Sequence, residues 1–189
     1  VMEIIGGVCA DVIAPNAEGV DHEGPHVIND RVEYASGTVE NMKAVNAAGL
    51  SGLTLPRRFN GLNFPLLCFV MANEMVARAD ASFENIWGLQ DCAETLNEFA
   101  SEEQKMKYLP DLCSGKKIGA FGLTEPGAGT DAQGQQTTAV LDESGENYIL
   151  NGSKCFITNG TVAETFVVFA MTDPKLGNKG ISAFIVEKA

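Results

Sequence analysis

Positive charge is scarce in this 189-residue sequence: 13 Lys and Arg stand against 25 Asp and Glu, a net charge of −12. That balance leaves no wide basic stripe for a nucleic-acid backbone and no polybasic patch for an anionic membrane. Long apolar runs are missing as well. No stretch reaches the roughly 18 consecutive apolar residues that a membrane-spanning helix needs. Val1–Ala10 has no basic n-region, so no signal peptide is expected. Histidine is limited to His22 and His26. Gly24-Pro25 between them keeps the pair off one helical face, which favours a solvated loop over a metal site. The five cysteines, Cys9, Cys68, Cys92, Cys113 and Cys155, include no C-x-x-C spacing and are odd in number. That pattern fits buried thiols in a reducing compartment and argues against a disulfide scaffold or a zinc site.

What remains is an ordinary globular composition, 45% hydrophobic and 20% charged, enough for one or two compact domains with real cores. Residues 1–30 hold six acids and no Lys or Arg, which reads as a solvated surface. Two sequons, Asn151-Gly152-Ser153 and Asn159-Gly160-Thr161, read as turns. No internal repeat or low-complexity tract is present.

The hydrophobic period changes near residue 117. Before it the pattern is helical. Val1–Ile13 predicts a helix broken by Pro15, and Asn16–Asp30 a polar loop. Arg31–Ala48 predicts a second helix, weakened by Gly37, and Leu50–Gly61 a loop. Pro65 suits the first position of a helix, where its missing N–H costs nothing. Leu66, Leu67, Phe69, Val70, Met71, Met75 and Val76 make that helix apolar on most sides. Ser82 is the expected cap of a helix running to Phe99. Ser101 and Gln104 form the S-x-x-Q capping box of a helix to Cys113, stopped by Gly115. Trp87, near Met71 and Met75, reads as core, and Arg57-Arg58 as a polar turn.

After Lys117 the period is two. Strands are expected at Ile118–Leu123, Thr137–Leu141, Phe166–Met171 and Ile181–Val186, with a turn at Ser144-Gly145. Tyr148–Leu150 and Ser153–Thr158 predict a hairpin turned by Asn151-Gly152. The chain therefore divides into a helical segment, 1–117, and an antiparallel β segment, 118–189.

The chemistry-bearing stretch is Gly122-Leu123-Thr124-Glu125-Pro126-Gly127-Ala128-Gly129-Thr130-Asp131. Its glycines allow close backbone approach, free N–H groups can form an anion nest, and Thr124 and Thr130 add hydroxyl donors. No Lys follows, so it is not a P-loop. The loose G-x-G-x-x-G/A pattern is met by Gly127–Ala132, but a strand follows instead of the helix that a dinucleotide fold requires. From spacing alone, an ordinary tight loop and a ligand loop both stand. Glu125 and Asp131 read as loop-holding carboxylates that accept backbone N–H bonds, not as proton-transfer groups.

The stretch resembles the G-L-T-E-P-G-x-G-S-D signature of the acyl-CoA dehydrogenases. Asn151-Gly152-Ser153-Lys154-Cys155-Phe156-Ile157-Thr158-Asn159-Gly160 is similar to that family's N-G-x-K-x-W-I-T-N. Glu102-Glu103-Gln104-Lys105 with Tyr108-Leu109-Pro110 and Ser114-Gly115, and then Lys179–Val186, resemble two more of its segments in the same order. Residues 60–189 carry the likeness well, and 1–59 more loosely, through Ile13-Ala14-Pro15. The resemblance implies an α+β fold: a helical N-terminal domain followed by an antiparallel, β-barrel-like middle domain. The chain is then cut before a C-terminal helical bundle.

The resemblance also implies an FAD enzyme that oxidises an acyl-CoA thioester to the 2,3-enoyl-CoA, with α-proton abstraction and hydride transfer to flavin N5. By position, Phe121, Leu123, Thr124, Gly129, Thr130, Phe156, Ile157 and Thr158 would bind the cofactor, and Thr130 would also meet the substrate. Thr158 would donate near N5. Phe156 replaces the usual Trp and loses an indole donor. Thr130 replaces Ser and stiffens χ1. No residue here is the base, which is expected beyond Ala189. An electron-transfer flavoprotein is the implied acceptor, a homodimer or homotetramer the implied assembly, and the bacterial cytoplasm or mitochondrial matrix the implied location. An acyl-CoA oxidase on the same fold and a non-catalytic interaction module on the same scaffold are the rival readings.

Overall fold

The computed structural model describes residues 1–88 and 91–188. Pro15 does not end the first helix. Helix α1 (Met2–Val8) passes through one π-helical turn, Cys9–Ile13, into α2 (Ala14–Glu23). In that turn the Ala14 N–H reaches back five residues to the Cys9 carbonyl. The wider turn admits Pro15 in the first turn of α2, where no N–H is missed. Residues expected to be loop therefore stay helical to Glu23, and Gly24 stops them at φ 62°.

A short hairpin follows, β1 (His26–Ile28) and β2 (Arg31–Glu33). Asn29 and Asp30 both have positive φ, 51° and 59°, as a two-residue hairpin turn requires. Helix α3 is thus shorter than expected, Ser36–Ala47. Its Gly37 lets α2 approach, since a Cβ there would lie 2.8 Å from Val20 Cγ2. Pro65 caps α4 (Leu66–Ala79). The cap of α5 (Ala81–Gly88) is Asp80, not Ser82: its Oδ1 accepts from the Ser82 N–H at 2.9 Å and the Phe83 N–H at 3.1 Å. The expected helix from Ser82 to Phe99 crosses positions 89–90, which lie outside the described residues, and α6 spans Asp91–Phe99. Helix α7 (Glu102–Cys113) carries the full Ser101/Gln104 capping box and is followed by Gly115 at φ 69°. Ile5, Ile13, Val45, Phe83 and Trp87 form the buried centre of the helical half.

The sheet holds β3 (Gly119–Gly122), β4 (Thr138–Leu141), β5 (Tyr148–Asn151), β6 (Thr165–Met171) and β7 (Ile181–Glu187). It is neither purely antiparallel nor a closed barrel. The central strand β6 pairs parallel with β3 and, at Thr138↔Met171, with β4; β7 runs antiparallel on β6. β3 and β4 lie end to end along one side of β6, and among the described residues no strand pairing joins the outer strands β5 and β7. These two meet through side chains instead, Tyr148 and Phe184, with ring centroids 5.0 Å apart.

The expected hairpin at Asn151-Gly152 is also displaced. β5 pairs back onto β4 across Asp142–Asn147, where Gly145 has φ 72° and the Asp142 carboxylate accepts from the Gly145 N–H at 3.0 Å. Asn151 stays in the ladder opposite Thr138, and Ser153–Thr158 is not a strand. Helices α6 and α7 cover one face of the sheet, burying Cys92, Leu96, Leu109 and Leu112 against Val167.

Candidate functional site

The glycine loop after β3 and the segment 153–160 meet at the edge of the sheet. The Cys155 N–H donates to the Thr124 carbonyl at 3.0 Å. One residue earlier, the Lys154 ammonium donates to the Leu123 carbonyl at 2.9 Å, Glu125 Oε1 at 2.8 Å and Gln135 Oε1 at 2.9 Å. Glu125 also accepts from the backbone N–H groups of Gln136 (2.5 Å) and Thr137 (3.0 Å). Both charges are sequestered, with side-chain exposures of 12% for Lys154 and 4% for Glu125. Burial pushes the Glu125 carboxyl up. The Lys154 ammonium, Thr137 and the Gln136 amide pull harder and bring it to about 2. Glu125 is therefore a permanently ionised anchor that holds its loop, as its motif position suggests. Asp131 differs: its backbone carbonyl, not its carboxylate, accepts from Gly134.

The expected site residues distribute over two faces of β3. Phe121 and Leu123 point toward the helical side, where they line a recess with Gln135 and Phe169. Phe156 and Ile157 line a second recess on the other face with Gly122, Phe166 and Val168. Alternation along the strands puts odd and even residues on opposite faces. Thr124 joins the two sides through its bond with Cys155, and Gly129 and Thr130 project into solvent.

Two features suit a ligand of planar, phosphate-bearing kind. Gly129 needs to be glycine for no reason internal to the chain: its φ is not positive and a Cβ would meet nothing within 4 Å. Gly127 is the same. Such glycines leave room for a group outside the chain to approach the backbone. Phe156 is the second feature. It is 94% exposed and held at φ 55°. A left-handed aromatic residue costs about 1 kcal/mol, and nothing in the described residues packs on its ring to offset that cost. A ring stacked on Phe156 would do so.

Three residues with no motif signal hold the segment from the helical half. Thr158 donates to Asn85 Oδ1 on α5 at 3.0 Å. Asn159 is buried at φ 62°; its Oδ1 accepts from the Tyr34 hydroxyl at 2.8 Å, and its Nδ2 donates to the Ile86 carbonyl at 3.3 Å. Burial raises the Tyr34 pKa, so it stays a donor. Tyr34 lies 125 residues from its partner, which no local pattern reveals.

The weaker candidates resolve simply. His22 lies beside Glu18, and His26 beside Glu23. Among the described residues no three His, Cys, Asp or Glu side chains converge as metal ligands. Arg58 pairs with Glu102 at 2.9 Å and lies over Phe59. Trp87 is core, packed near Phe69. No described helix is long and apolar enough to cross a membrane.

Residues 3–116 match the family model of the acyl-CoA dehydrogenase N-terminal domain, and residues 120–189 that of the middle domain. A short-chain specific acyl-CoA dehydrogenase of Clostridium acetobutylicum is 48% identical over 152 residues, 79% of this chain and 40% of that protein. The structure of butyryl-CoA dehydrogenase from Megasphaera elsdenii superposes with a TM-score of 0.87 at 37% identity, covering 100% of this chain and 47% of that one. An acyl-CoA dehydrogenase of Bacillus anthracis complexed with FAD gives 0.83 at 32% identity, covering 99% and 30%. The chain thus spans less than half the length of these relatives, and it belongs to the acyl-CoA dehydrogenase family.

Proposed function

We propose that this chain supplies the helical and middle segments, divided at 117/118, of an FAD-dependent enzyme that oxidises acyl-CoA thioesters to 2,3-enoyl-CoA. The observation that carries the reading is the pair of glycines, Gly127 and Gly129, with open space before them and no internal need for glycine. Phe121, Leu123, Thr124, Gly129, Thr130, Phe156, Ile157 and Thr158 would hold the FAD, with Thr130 also near the substrate. When bound, the flavin supplies the two-electron acceptor, and hydride transfer to N5 is the family-like route. The chain's own residues act by placement. Lys154 and Glu125 fix the loop as an ion pair, and the Glu125 carboxyl, held at about 2, stays ionised at neutral pH. Loop N–H groups and threonine hydroxyls take phosphate oxygens where lysines are scarce. Phe156 covers a ring face and excludes water. Neither Glu125, tied to Lys154, nor Asp131, exposed on the loop, is a base; a carboxylate outside residues 1–189 completes the site.

An electron-transfer flavoprotein would accept the electrons, a homo-oligomer would be the assembly, and cytoplasm or mitochondrial matrix the location. In the complete enzyme, oxidised flavin absorbance should bleach when a short acyl-CoA is added anaerobically. Residues 1–189 alone should bind FAD weakly and show no turnover. A complete protein that takes up no FAD defeats the proposal, and stoichiometric peroxide during turnover in air replaces the dehydrogenase with an oxidase.

A further inference from the structure

Phe156 is held between two anchors that belong to different halves of the molecule. Upstream, the Cys155 N–H is tied to the Thr124 carbonyl at 3.0 Å, within the sheet half. Downstream, Asn159 is buried and left-handed at φ 62°, a conformation that Asn adopts readily and Phe does not. Both ends of the Asn159 amide are used. Its Oδ1 accepts from the Tyr34 hydroxyl at 2.8 Å, and its Nδ2 donates to the Ile86 carbonyl at 3.3 Å. A carbonyl can only accept, so Ile86 fixes which end of the amide faces Tyr34. Burial raises the Tyr34 pKa, so the hydroxyl keeps the proton it donates. The Asn159 carbonyl in turn accepts from the N–H groups of Val162 at 3.0 Å and Ala163 at 2.7 Å.

We infer that Tyr34 is a positioning residue: by clamping Asn159 it keeps Phe156 left-handed and its ring turned toward the bound flavin. This rests on the FAD reading. The strain of a left-handed Phe and the worth of one hydrogen bond are of the same size. Strain of that size persists only while its surroundings over-determine it. Without the Tyr34 hydroxyl, Asn159 Oδ1 is left buried with no donor. The amide then turns, the downstream anchor slackens, and Phe156 relaxes to negative φ, carrying its ring off the flavin face. Tyr34 lies between β2 and α3, where it walls a groove with Val39, Met42 and Val162. Tyr34→Phe keeps the aromatic wall and removes only the hydroxyl, so the fold survives the change.

The test uses the complete enzyme and reads FAD affinity together with the visible circular dichroism of the bound flavin, which reports how the ring is held. Loss of one hydrogen bond in Tyr34→Phe should weaken FAD about three- to tenfold and change the flavin dichroism. Asn159→Gly, which keeps the left-handed backbone but has no amide, should do at least as much. In a Phe156→Ala background, Tyr34→Phe should have no further effect, because the two changes act through one ring. A Tyr34→Phe protein with wild-type FAD affinity, or with weaker binding but an unchanged flavin dichroism, makes Tyr34 a brace of the fold alone and overturns the positioning role. Losses that add in the Phe156→Ala background overturn it as well. These outcomes leave the FAD reading intact, whereas a wild-type protein that binds no FAD overturns both.

Discussion

The two motif segments of this chain are held in different ways. Loop 123–128 is braced from within the sheet half by a buried ion pair: Lys154 and Glu125 at 2.8 Å, with the Leu123 carbonyl and the Gln135 amide on the same ammonium. Segment 156–159 is braced from across the molecule by neutral hydrogen bonds from Tyr34, Asn85 and Ile86. The loop keeps its shape for as long as the sheet half folds. The segment has its own turn bonds, at Gly160 and Ala163, but its side-chain braces at Thr158 and Asn159 depend on the docked helical half. A ligand that touches both therefore reports on the docking of the halves as well as on its own pocket.

The sharpest way to break this contrast is Lys154→Met. It leaves the Glu125 carboxylate buried without its cation, a change that typically costs about 3–5 kcal/mol. Urea unfolding should show that loss in the chain as it stands. A loss below about 1 kcal/mol would mean the loop is held by its backbone bonds and not by charge.

The same pair predicts an acid limb. The Glu125 carboxyl titrates at about 2 in the fold against 4.5 for the free group. A depressed pKa adds stability that is fully present above about 4.5 and is lost as the pH falls through 4.5 toward 2. On the order of 3 kcal/mol should disappear over that window, at about 1.4 kcal/mol per pKa unit. Glu125→Gln should be less stable at neutral pH and should lack this part of the slope. An identical slope in both proteins would assign the acid limb to other carboxylates.

Much of the loop's role was legible because its logic is local. Glu125 sits inside a glycine turn, where a carboxylate has backbone N–H groups to accept, and it does accept two of them. Its cation, Lys154, is 29 residues away, and only folding brings the two together. The helical capping box at Ser101 and Gln104 was readable for the same reason, since both partners lie within four residues. Pro15 and Asn151-Gly152 misled for the opposite reason. A π-turn absorbed the proline, and packing against Thr137, not turn geometry, claimed the glycine. The hairpin at Asn29-Asp30 has no glycine and only three-residue strands, so its pattern is too short to stand out. Barrel closure is a property of strand order, which no run of alternating residues encodes.

Glycine gives the finest comparison, because Gly152 and Gly129 look alike in sequence and differ in cause. A Cβ at Gly152 would lie 2.2 Å from Thr137 Oγ1 and 2.7 Å from its Cα. Gly152→Ala must push β4 away from the Lys154 segment, and overpacking of this kind costs about 1–3 kcal/mol. At Gly129 a Cβ meets nothing within 4 Å and the backbone is not left-handed. Gly129→Ala should therefore leave the unfolding free energy within about 0.5 kcal/mol of wild type. It should nevertheless weaken FAD binding, on the order of tenfold, as the new methyl occupies space that the FAD phosphates or ring edge would use. Parallel urea unfolding and FAD titration separate the two glycines: one should fail the first assay, the other only the second. If Gly129→Ala leaves FAD affinity unchanged, the loop's open side is not where the cofactor approaches, and Phe156 alone would have to mark the binding face.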